Sequence, residues 1–186
     1  MEFSELITRR QSVREYTSRP VEPEKLEKLV EAVRLAPSAS NSQPWKLIFV
    51  DRPELREAVA RATFSPLIRF NAFVLQAPVI AVLTLERPKR ITQLGGRIKH
   101  KEYPLIDIGV AAAHFCLQAT ELGLGTCMIG WFQEQTIKDL LQIPEKSGIG
   151  LLISLGYSQA PMRDKVRKPA GRMSAFNGYS GETGDD

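Results

Sequence analysis

Histidine and cysteine are both scarce, with two of each in 186 residues. His100 and His114 offer little for a metal site or an acid–base triad, and the chain has no HExxH, no GxGxxG and no Walker loop. Zinc hydrolases, kinases and triad hydrolases therefore fit poorly, and no metal ligand set is expected. Cys116 and Cys127 have no second pair with which to build a disulfide framework or a zinc site. They read as buried free thiols in a reducing compartment. Long apolar runs are missing too. Stretches such as Ala77–Leu83 fall far short of the roughly 20 residues that a membrane-spanning helix needs. The opening MEFSELITRR has neither the apolar core nor the small-residue cleavage site of a secretory signal. A cytoplasmic protein without membrane contact is the expectation.

What is present suits one globular domain. Lys and Arg number 25 against 21 Asp and Glu, a formal charge of +4, and 43% of the residues are hydrophobic. A chain of this length buries roughly 70% of its unfolded surface on folding, so its core needs no staples. No repeat or low-complexity tract interrupts it. Residues 1–170 read as the domain, and 171–186, glycine-rich with an acidic end, as a C-terminal arm or tail.

Hydrophobic period and turn residues divide the chain into elements. A short helix spans about Phe3 to Arg9. A stronger one starts at Pro23, where Leu26, Leu29, Val30 and Val33 form one apolar face, and it stops before Pro37. Trp45–Val50 reads as a strand, Pro53–Arg61 as a helix and Pro78–Leu85 as a buried strand. Leu105–Leu122 is predicted to be a central helix, because apolar residues wrap nearly all round it. Its polar members Asp107, His114, Gln118 and Glu121 share one stripe, either a polar track into a site or a face toward solvent, a partner or internal hydrogen bonds. Thr126–Ile129, Gln135–Leu141 and Ile149–Leu155 read as strand, helix and strand, and the last thirty residues as an extended arm. Interspersed helices and strands indicate an α/β or α+β class.

Three stretches could carry chemistry. In ITRRQSVREY, Arg9, Arg10, Ser12 and Arg14 accompany the Gln11 amide, a set that can fork onto an anion or simply be solvated. In APSASNSQPW, small residues leave backbone donors accessible to a flat ligand, or make a well-formed turn. Between Glu86 and Glu102, Arg87, Lys89, Arg90, Arg97, Lys99 and Lys101 surround Gly95 and Gly96 in a segment without clear periodicity, read as a long loop. No aromatic interleaves with that cluster, so a nucleic-acid partner is not expected.

Taken in order, RRQSVREY, APSASNSQPWKLIFV, DIGVAAAHFCLQATELGLGTCMIGWF, and ISLGY followed by DKVRKP resemble the flavin-dependent nitroreductase family. The resemblance runs from about residue 5 to residue 170. It implies an α+β fold with a mixed, mostly antiparallel central sheet flanked by helices, in a homodimer completed by exchange of C-terminal arms beyond Gly156, with FMN held at the subunit interface.

Residue by residue, the resemblance implies that Arg10, Gln11, Ser12 and Arg14 form the first flavin-binding segment, with Arg10 toward the phosphate and Arg14 toward the pyrimidine edge. Lys165 and Arg167 would complete the phosphate clamp. Pro37, Ser38, Ala39, Ser40 and Asn41 would be the loop from the other subunit, and Met128, Ile129 and Gly130 the strand end facing the reactive edge. Asn71 lies near a position where some members touch the flavin with an amide. Gln11 departs from the family, in which many members have a basic residue or histidine there, and Gly130 stands where some have an acidic residue. The short spacer between Leu85 and Tyr103 implies a small cap and an open site.

The implied activity is NAD(P)H-dependent, FMN-mediated reduction of nitroaromatics, quinones or similar electron-poor small molecules by a ping-pong mechanism. Arg14 would favour reduced flavin, and no residue need act as a general acid. A flavin-binding carrier or redox sensor without turnover is the alternative. The basic 87–101 segment, Arg97 in particular, could attract the 2′-phosphate of NADPH.

Overall fold

The computed structural model describes residues 1–179, with the side chain of Arg97 left aside. Helix α1 (Phe3–Arg9) and helix α2 (Pro23–Arg34) precede strand β1 (Trp45–Val50), helix α3 (Pro53–Arg61) and strand β2 (Val79–Leu85). Helices α4 (Arg90–Lys99) and α5 (Tyr103–Glu121), strand β3 (Gly125–Ile129), helix α6 (Glu134–Leu141), strand β4 (Gly148–Gly156) and the short helix α7 (Ala170–Met173) follow. The four strands form one antiparallel sheet in the order β1-β2-β4-β3. An isolated parallel bridge between Ser12 and Thr126 extends it beyond β3.

Strand β2 is apolar at nearly every position because both faces of the sheet are covered. Val79, Ala81 and Leu83 join Leu29 and Val33 of α2 and Phe115 of α5 in one core. Ile80 and Val82 point the other way, into a second core with Val59 of α3 and Ile137 of α6. Strand β4 changes face at a bulge: Leu151 pairs with Leu83 and Ile149 with Thr84, leaving Gly150 as the extra residue. A Cβ at Gly150 would stand 2.9 Å from Ile108 Cγ2 of α5, so glycine lets the central helix lie against the sheet.

Two features differ from the sequence expectation. The 86–102 segment is not all loop, since ten of its residues form α4. Ile91, Leu94 and Ile98 do recur at helical spacing, but Gly95 and Gly96 break the propensity, each costing about 1 kcal/mol against alanine. Those three apolar side chains are all more than half exposed. Helix α5 is central but not enclosed. Asp107, Ile108, Ala111, Ala112 and Phe115 are buried, whereas Leu105, Ile106, Gly109 and Ala113 line an open, apolar face.

Candidate functional site

The segment after α1 is extended and tied down at several points. Val13 N–H donates to the Thr126 carbonyl (2.8 Å), and Tyr16 N–H donates to Gln76 Oε1 (3.2 Å). The buried Tyr16 hydroxyl reaches the Val13 carbonyl (2.9 Å) and Ser154 Oγ (2.7 Å), and burial pushes its phenol well above the ordinary range, so it stays protonated. These contacts fix the backbone from which Arg10, Gln11, Ser12 and Arg14 project.

Beyond β4 the chain runs back along that segment. Thr17 N–H donates to the Tyr157 carbonyl (2.9 Å). The Gln11 amide then bonds the arm twice, donating to the Pro161 carbonyl (3.1 Å) and accepting from Arg163 N–H (3.1 Å). The Arg163 guanidinium donates to the Ser12 carbonyl, and the Lys165 ammonium to the Arg10 carbonyl.

Between the two strips lies a cleft of about 310 Å³ lined, among the described residues, by Arg10, Arg14, Arg163, Lys165 and Arg167 with a single carboxylate, Asp164. Five cations against one anion leave a formal excess of 5 − 1 = +4. Loss of hydration, and then the charges of Arg10, Arg167 and Arg163, draw the Lys165 ammonium below its usual range. Crowding of like charge this close is relieved by a bound anion, and guanidinium forks together with the Ser12 hydroxyl suit phosphate oxygens. Arg14 also lies 6.0 Å from the centroid of the Phe73 ring, at the outer limit of a cation–π contact.

Strand β3 forms the neighbouring wall. Met128 and Gly130 are exposed and Ile129 is buried, so the strand end offers an open backbone at Gly130. The Asn71 amide donates to the carbonyls of Thr63 (3.1 Å) and Trp131 (3.2 Å), which fixes the turn after that strand and commits both N–H groups within the chain. Burial raises the Cys116 thiol to about 11 and also raises that of Cys127, so both are protonated near neutrality.

The third predicted element lies apart. Pro37, Ser38, Ala39, Ser40 and Asn41 line no part of the basic cleft and pack toward α4 and α5 instead. Their backbone is strained, with Ser40, Asn41 and Gln43 all at positive φ (53°, 50° and 47°). Side chains over-determine it. Asp107 Oδ1 accepts from Ala39 N–H (3.0 Å), Ser38 Oγ from Gln43 N–H (2.9 Å) and Ser42 Oγ from Lys89 N–H (2.7 Å). The polar stripe on α5 is thus divided: Asp107 holds this loop, His114 Nδ1 sits 3.3 Å from the Ala32 carbonyl of α2, and Gln118 donates to Glu121 (3.1 Å). It is not a continuous track.

A larger cleft of about 790 Å³ opens between α4 and the start of α5, with Arg87, Thr92, Gln93, His100, Lys101 and Glu102 on its walls. Arg97 belongs to α4, and its side chain lies outside what the structure describes.

One cleft residue, Arg163, escaped the sequence reading. The signal was available, because Arg163, Lys165 and Arg167 alternate in an extended segment and so project to one side.

Sequence and fold are shared with known proteins. The model of the nitroreductase family matches residues 7–72 and 66–157. A relative from Archaeoglobus fulgidus, whose name joins NADH dehydrogenase and NAD(P)H nitroreductase, is 31% identical over 165 residues, covering 84% of this chain and 85% of its own. The crystal structure of a nitroreductase family protein from Clostridium novyi superposes with a TM-score of 0.77 at 33% identity, over 88% of this chain and 89% of that one. An FMN-dependent nitroreductase from Clostridium difficile gives a TM-score of 0.74 at 26% identity, over 94% and 98% of the two chains. On the extent of these matches, the chain belongs to the nitroreductase family.

Proposed function

We propose that this protein is an NAD(P)H-dependent oxidoreductase that holds FMN in a homodimer and reduces nitroaromatics, quinones or similar electron-poor small molecules in ping-pong order. The observation that carries the reading is the convergence of Arg10, Arg14, Arg163, Lys165 and Arg167 around one carboxylate. A phosphomonoester brings close to two negative charges, which suits an excess of four positive ones. The cations suit the phosphate, and the ring lies toward the open end of β3. The names of the Archaeoglobus and Clostridium difficile relatives support the nicotinamide donor and FMN respectively.

When bound, FMN supplies acceptance of a hydride equivalent from the nicotinamide and its delivery to a second substrate. Arg10, Ser12, Lys165 and Arg167 hold the phosphate. Arg14 places a fixed positive charge near the ring's edge and favours negative charge there. Met128, Ile129 and Gly130 present backbone to the ring. Gln11 belongs to the same segment, with its amide engaged by the arm.

The loop Pro37, Ser38, Ala39, Ser40 and Asn41 serves the partner's site, which is why it lines no cleft with Arg10 of its own chain. The exposed apolar faces of α4 and α5 supply surface for that partner, and exchange of the tail beyond Ala170 completes the dimer, since residues 161–167 stay with Gln11, Ser12 and Arg10 of their own chain. The domain then spans 1–170 and the C-terminal tail of the arm 171–186, of which 180–186 lie outside the described residues. Among the described residues no helix is long and apolar enough to cross a membrane, and two unpaired thiols suit the cytoplasm.

Purified protein should be yellow, and NADH or NADPH should bleach the flavin without oxygen. Colourless protein that takes up no added FMN contradicts the proposal, and a flavin that neither nucleotide bleaches supports a carrier or sensor instead.

A further inference from the structure

We infer that Arg163 is a phosphate-binding cation of the FMN site and that Gln11 is the positioning residue that aims it. This rests on the FMN reading above and deepens it. Arg163 lies on an extended stretch outside any helix or strand, so nothing in regular structure fixes its direction. Fixation comes from the Gln11 amide, which donates to the Pro161 carbonyl and accepts from Arg163 N–H, both at 3.1 Å. A primary amide used in this way copies the pairing of a neighbouring strand and holds the backbone on the N-terminal side of Arg163.

The guanidinium then meets the Ser12 carbonyl, which takes one of its five N–H donors. The donors that remain border the cleft shared with Arg10, Lys165 and Arg167. Among the described residues Asp164 is the only carboxylate lining that cleft, against five cations. Gln11 has its oxygen and its nitrogen engaged by the arm and is poorly placed to serve as a ligand. Its effect on a phosphate passes through Arg163.

The class of ligand is a phosphomonoester on a flavin, and riboflavin, which lacks the phosphate, is the control. Flavin-free full-length protein is titrated with FMN and with riboflavin by fluorescence. Arg163→Gln should weaken FMN about tenfold or more, the size of a lost charge-assisted hydrogen bond, and leave riboflavin unchanged. Arg163→Lys should recover part of that loss. Gln11→Met, similar in length but without the amide, should lower the preference for FMN in the same way. The double variant should bind FMN no more weakly than Arg163→Gln alone.

An unchanged preference for FMN in Arg163→Gln overturns the assignment of Arg163. Additive losses in the double variant, or an equal fall for both flavins in Gln11→Met, overturn the positioning role of Gln11. Unaltered protein that binds neither flavin, or binds both equally, contradicts the FMN site itself, a failure distinct from the other two.

Discussion

Val13 lies so close to Gly125 that a Cβ on the glycine would stand 2.8 Å from Val13 Cγ2 and 2.9 Å from Cγ1. This contact sets the distance between the cation-bearing segment and β3. The consequence of Gly125→Ala is an outward shift of residues 12–14, because Val13 is itself buried and cannot turn away. Overpacking of this kind costs about 1–3 kcal/mol, and roughly tenfold weaker FMN retention is expected by equilibrium dialysis. Retention equal to the unaltered protein would show that the segment tolerates displacement.

Tyr16 braces the same segment from beneath. Phenylalanine there removes the hydroxyl shared by the Val13 carbonyl and Ser154 Oγ and leaves buried polar atoms without it. Tyr16→Phe should lower the free energy of unfolding by about 1–3 kcal/mol in a urea titration. A change near zero would mean that the brace does not contribute to stability.

Ser40 is held at φ 53°, where a residue with a Cβ pays roughly 1–2 kcal/mol. Glycine relieves that strain while adding freedom to the unfolded chain, so Ser40→Gly should raise stability by about 0.5–1 kcal/mol. On the proposed function it should also lower turnover, because the loop would be less firmly set for a partner's site. Lower stability together with intact turnover would contradict a strained, functional loop.

Glu22 supplies a pH signature at the point where the arm begins. The Tyr157 hydroxyl donates to Glu22 Oε2 (2.6 Å) and Arg19 donates to Oε1 (2.7 Å). The Tyr157 bond first, then backbone N–H and Arg19, pull the carboxyl from 4.5 to about 2. A lowered pKa in the folded state stabilises the fold above pH 4.5, and that contribution is lost as pH falls from 4.5 toward about 2. The carboxylate faces solvent, so screening keeps the effect small. Tyr157→Phe should flatten the fall of Tm across that window, and identical profiles would refute the link.

Local pattern was enough to place most elements. The apolar run from Trp45 to Val50 and the Pro53 start of α3 emerged at the bounds predicted for them. Helix α4 was hidden because two adjacent glycines mask a helical stripe whose apolar face finds no cover among the described residues. The open side of α5 was hidden for a related reason, since an apolar face that the described residues leave uncovered has the composition of a core. At the site, the short-range motifs were readable, whereas the meeting of residues 10–14 with 161–167 depends on a return of the chain that no local period encodes. Gln11 illustrates the limit. Its neighbours in sequence suggested an anion ligand, and its partners in space are the backbone of Pro161 and Arg163.

The central claim is that each chain builds its own phosphate clamp while lending residues 37–41 to a second copy. Native mass spectrometry of the full chain supplied with FMN tests it most directly. Two chains carrying two FMN molecules are expected, and a lone chain, or a pair that retains no flavin, would contradict the shared site.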